Sequence, residues 1–106
     1  MQAEQQAEGQ VCNMANMSIP ITELSQTIEM MTSSDYKERF KAEYAQVVLR
    51  YQRLKDMLEE WDNGTLGFSP TCPRSTYNMQ IKAMTDYIAV LEARAVMEDI
   101  DLDLEY

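Results

Sequence analysis

Two apolar seams with the same spacing restrict this chain more than any other feature. Phe40, Tyr44, Val47, Tyr51, Leu54, Leu58 and Trp61 follow one another at intervals of four and three, as do Tyr77, Ile81, Met84, Ile88, Leu91 and Ala95. That period belongs to helices packed along a narrow heptad stripe, not to strands. Between the seams, "DNG" at 62–64 offers a left-handed stop at Asn63 or Gly64, and Pro73 suits the first turn of a second helix, where its missing N–H costs nothing. The spacing predicts helices over 34–62 and 73 to about 98, each about 40 Å long at 1.5 Å per residue. Equal lengths and a loop of about ten residues predict an antiparallel hairpin, and the fold class is all-α.

Local signals fill in the rest. In "TSSDYKER", Ser33 or Ser34 can cap the first long helix, Asp35 suits its positive end, and Glu38 can close a box onto Asp35. Ahead of it, Ile21, Leu24, Ile28 and Met31 predict a short amphipathic helix over 21–32, entered at Thr22 or Glu23 and too short to stand alone. Residues 1–20, rich in Gln, Ala, Asn and Met without a period, read as a flexible arm. The acidic tail over 99–106, "DIDLDLEY", alternates apolar and acidic positions; it reads either as an extended arm laid on a neighbouring subunit or basic partner, or as a frayed acidic end.

The second helix carries a further stripe, Met79, Ala83, Tyr87, Val90 and Met97, which makes its apolar surface wider than one partner helix covers. The short leading helix can cover part of it. With one small core in 106 residues, the remainder predicts a homo-oligomer.

Composition excludes several functions. Eighteen acidic against nine basic side chains give a formal charge of −9, which repels phosphate backbones and argues against general nucleic-acid binding. No apolar run reaches the eighteen residues a membrane span needs, and "MQAEQQAEGQ" lacks the basic start and apolar stretch of a secretion signal, so a soluble cytoplasmic protein without membrane partners is expected. Cys12 and Cys72 are then expected as free thiols.

The absence of histidine removes the commonest general base and zinc ligand. In "GFSPTCPRSTY", 67–77, Cys72 lies beside a helix start and Arg74, which favours a thiolate, but two nearby prolines remove the N–H donors an oxyanion loop needs. The stretch reads as a turn and helix start with Cys72 as a small packed residue, and no enzyme is expected. Glu59 with Glu60 and Asp99 with Asp101 match no calcium-loop spacing and read as solvated acidic faces; no metal site and no cofactor are expected. What remains is at the helix starts. Tyr36 with Lys37 and Lys41, and Arg74 with Ser75, Thr76 and Tyr77, combine helix-end N–H groups, a cation and a stacking ring, which suits a phosphate or nucleotide; plain capping is the competing reading.

The elements "DYKERF", "LKDMLEEWDNGTL", "PTCPRS" and "YIAVLEARA", within residues 33–102, resemble a family of small bacteriophage proteins related to a crAss-like phage protein. That resemblance implies a phage origin and a helical hairpin, with no activity to transfer. "PRS" at a helix start and "LEARAV" near its end are also similar to the anti-CBASS sponges, small phage proteins that sequester cyclic nucleotide signals of bacterial immunity. Those look like a short leading helix and a helical hairpin that assembles into an oligomer. The match is two residues out of step and lacks their Gly-Phe-Met stretch, so no binding residue is carried over. The likeness to the sponges implies a non-enzymatic counter-defence protein, in the cytoplasm of an infected bacterium, that sequesters a small cyclic nucleotide between subunits. The alternative is an acidic module that inhibits or scaffolds a host or phage protein.

Overall fold

The structure, a computed structural model, describes residues 22–102. A 3-10 turn, Leu24–Thr27, runs into a single helical turn α1, Ile28–Met31; two long helices follow, α2, Tyr36–Asn63, and α3, Arg74–Met97. No strand occurs among the described residues, and the class is all-α as expected. The expected arm over 1–20 lies outside them, as do Ile21 and the last four residues of the tail.

Asp35, not Ser33 or Ser34, caps α2: its Oδ1 accepts from Lys37 N at 3.0 Å, while Ser33 Oγ accepts from Asp35 N at 3.0 Å. Gly64, at φ 74°, ends the helix, with Thr65 N donating to Glu60 O at 2.9 Å and Gly64 N to Trp61 O at 3.1 Å. These two bonds form a Schellman stop. Pro73 stands one residue outside α3, as its extended N-cap.

The seams meet as their spacing requires. Phe40, Tyr44, Val47, Val48 and Tyr51 of α2 pack with Ile88, Leu91 and Ala95 of α3, and Ile81 and Met84 join from the side. Heptad spacing alone leaves open a slip of one repeat. Polar rungs across the hairpin fix the register: Tyr36 Oη donates to Glu98 Oε1 at 2.7 Å, Tyr44 Oη to Glu92 Oε2 at 2.7 Å, Tyr87 Oη to the Glu43 carboxylate, and Arg74 to the Asp62 carboxylate.

The leading segment departs from expectation. Ile28 and Met31 are exposed, and the residue it buries is Thr27, whose Oγ1 donates to Leu24 O at 2.7 Å and accepts from Gln46 Nε2 at 2.8 Å. The cause is the 3-10 turn, whose three-residue repeat rotates the following side chains off a 3.6-residue stripe. Glu23 begins that turn with a box: Gln26 Oε1 accepts from Glu23 N at 2.8 Å, and Glu23's carboxylate accepts from Gln26 N. The segment packs on α2 alone, so it covers none of α3's outer stripe. Ala42, Ala45 and Leu49, buried outside the seam, share a helical stripe with Gln46 and Arg53, which bond Thr27 and Glu23.

The tail begins neither as a free arm nor frayed. Asp99, at φ 59°, turns the chain through a second Schellman stop, in which Asp99 N donates to Val96 O at 3.3 Å and Ile100 N to Ala95 O at 2.8 Å. This drops Ile100 into the core and lays Leu102 against it.

Candidate functional site

The candidate residues sit at both ends of a rod whose longest dimension is 43 Å. At the first end, where α2 begins and α3 finishes, Tyr36 Oη donates to Glu98 Oε1 and accepts from Arg94 Nη2 at 2.9 Å; Arg94 Nε donates to Glu98 Oε2 at 3.2 Å. The Arg94 guanidinium lies 4.9 Å from the Phe40 ring centroid, and the Tyr36 ring stands edge-on to Phe40 at 6.2 Å. Lys37 Nζ donates to Asp99 O at 3.1 Å, and Lys41 pairs with Glu38 at 3.8 Å.

These contacts shift the titrating groups. The Tyr36 phenol is pushed above its ordinary value, first by its hydrogen bond to Glu98 and then by loss of solvent. Glu98 is held below the usual glutamate range, first by the Tyr36 hydroxyl and further by Arg94, whose own pKa Glu98 raises.

At the second end, Arg74 grips both oxygens of the Asp62 carboxylate, Nη2 reaching Oδ2 at 3.2 Å, while its Nε donates to Asn78 Oδ1 at 3.2 Å. Its guanidinium lies 5.6 Å from the Trp61 ring centroid, and Tyr77 meets Trp61 edge-on at 6.0 Å. Arg74 lowers the Asp62 carboxyl and is itself raised by it. The Tyr77 phenol rises, first through loss of solvent and then through a hydrogen bond to Cys72. Cys72 is an exposed free thiol, which corrects the expectation of a packed residue: the connection crosses the surface, as loops do, and none of the described elements lies over it.

Tyr36, Lys37 and Lys41 therefore share one end, Arg74 and Tyr77 the other, and one chain does not bring the two sets together. Arg94 with Glu98 and Phe40 at the first end, and Asp62 with Trp61 at the second, complete these clusters. An i,i+4 Arg–Glu pair is legible at 94 and 98, but its phenol partner comes from 58 to 62 residues away in sequence. Each cluster offers an anion a guanidinium over an aromatic face, with a carboxylate already seated on the cation. Among the described residues, no group of three or more His, Cys, Asp or Glu could hold a metal ion, and no helix is long and apolar enough to cross a membrane.

Fold and clusters together define an all-α hairpin with a charge-compensated, ring-backed cation at either end. The chain belongs to the Sequestin family, whose model matches residues 34–97, from the residue before the cap of α2 to the end of α3. No curated protein and no solved structure matches it.

Proposed function

We propose that this protein is a phage counter-defence factor that sequesters a small anionic nucleotide, a cyclic di- or trinucleotide signal of bacterial immunity, and holds it without turnover. The family name denotes sequestration. The observation that carries the reading is that each hairpin end holds a guanidinium on an aromatic face beside a tyrosine phenol: Arg94 with Phe40 and Tyr36, Arg74 with Trp61 and Tyr77. A phosphate displaces Glu98 or Asp62 from the guanidinium, and a base stacks on the exposed Tyr36 ring at the first end or against Trp61 and Tyr77 at the second. Lys37 and Lys41 add charge at the first end. Since the two ends of one chain are opposed, a pocket using both sets forms between subunits of a homo-oligomer.

Titration calorimetry with cyclic di- and trinucleotides tests this. Saturable binding is expected with at least one of them, with ligand recovered intact after heating the protein, and with affinity reduced at least tenfold in Lys37→Ala and in Arg74→Ala. Absence of heat with every nucleotide removes the reading.

A further inference from the structure

A row of residues four apart, Lys82, Asp86, Val90, Arg94 and Glu98, with signs plus, minus, neutral, plus, minus, runs along the outer flank of α3, and its last two members, partly exposed, also bond Tyr36 of α2. Within the chain, Lys82 pairs with Asp86 at 2.9 Å and Arg94 with Glu98 at 3.2 Å. Val90 is 54% exposed between them, and Met79 and Met97 beside the row are 72% and 76% exposed. Rows at this spacing are the ridges by which two helices pack most often.

Reversed, the row is its own electrostatic complement. We infer that α3 docks on α3 of a second copy of this chain, antiparallel, about a two-fold axis passing between the two Val90 side chains. Lys82 then faces Glu98 of the copy and Asp86 faces Arg94, so the two intrachain ion pairs on each side merge into a square of alternating charge. Ala83 faces Met97, a small side chain against a large one. Each contact occurs twice, as an isologous interface requires.

The charges also exclude the neighbouring registers. Moving the axis two residues toward the start of α3 sets Lys82 against Arg94; moving it two residues the other way sets Asp86 against Glu98. Parallel pairing sets every charge against its own kind. One alignment in this series is free of like-charge contacts, and this repulsion is what selects it. The outer face of α3 gains its cover in this way, because among the described residues the leading segment packs on α2, and Tyr87 reaches across to Glu43 of α2.

This deepens the proposed function by giving the self-association it needs a contact surface. Glu98, and with it the Tyr36–Arg94 cluster, comes beside Lys82 of the copy, about 12 Å along α3 from the copy's Arg74 at 1.5 Å per residue. The opposed ends of one chain thus become neighbouring ends of two.

Sedimentation equilibrium on the full chain tests the interface without reference to any ligand. The wild-type chain is expected to associate, and Val90→Glu, which places two carboxylates on the axis at an exposed position, to weaken association more than tenfold. Lys82→Glu alone faces Glu98 of its copy and Glu98→Lys alone faces Lys82, so each is expected to be impaired. An equimolar mixture of those two variants restores both pairs, and is expected to recover association that neither shows alone. Circular dichroism of each variant establishes that the hairpin is folded. A monomeric wild-type chain, an oligomer indifferent to Val90→Glu, or a mixture no better than its components would overturn the interface. Nucleotide binding is read separately by calorimetry on the wild-type chain, so failure of this interface and failure of the nucleotide reading are distinguishable.

Discussion

Asp99 and Gly64 both occupy the left-handed region, at φ 59° and 74°, and both end a long helix. Gly64 does so without strain, and a Cβ added there meets nothing within 4 Å. Gly64→Ala is therefore expected to lose about 1 kcal/mol purely through backbone conformation, and Asp99→Gly to raise Tm modestly, both readable by thermal unfolding. Glu98 lies one residue before that second turn and gives a pH dependence. Its pKa is depressed in the folded chain, so the stability it contributes is present above the ordinary glutamate value of 4.5 and fades as pH falls through the lower folded value. Glu98→Gln is expected to flatten the unfolding profile in that acid window while leaving its slope near neutrality unchanged. A variant as acid-sensitive as the wild type would show that the Tyr36–Arg94–Glu98 contacts contribute nothing to stability.

At the scale of elements, α2 and α3 were legible because their boundaries rest on local chemistry: Asp35 at one start, Gly64 at one stop, a proline just before the other start. The leading segment was not. Its apolar spacing predicts a stripe of Ile21, Leu24, Ile28 and Met31, yet the 3-10 turn exposes the last two and buries Thr27. A threonine is tolerated there only because its hydroxyl both donates and accepts. Thr27→Val keeps the shape and removes the acceptor for Gln46; it is expected to cost about 1–2 kcal/mol in denaturant unfolding, whereas Thr27→Ser is expected to keep most of that stability. The start of the tail, over 99–102, departs from its pattern for a similar reason. Alternation along "DIDLDLEY" is a strand period, but Asp99 reverses the chain first, and Ile100 and Leu102 then serve the hairpin's own core.

On the scale of the whole molecule, the antiparallel hairpin puts the starts of α2 and α3 at opposite ends. The five candidate residues share a chemistry readable from type and position; their distribution over two ends follows from the chain's reversal. Lys37→Ala and Arg74→Ala are expected to have additive effects on the unfolding of an isolated chain, since distant sites without shared partners do not couple. Coupling between them in nucleotide affinity, measured by a double-mutant cycle, would then report a pocket shared between chains. The sequence by itself determined two helices, the stop of the first and the face each buries, because spacing, caps and turn residues act within a few positions. Only the tertiary structure decided the register of α2 on α3, the seat of Thr27, the fold-back of Ile100 and the partners of Arg94 and Arg74. Ile100 folds back because its side chain packs on the hairpin core; the others depend on hydrogen bonds between groups distant in the chain, and a repeating apolar pattern fits several alignments equally well.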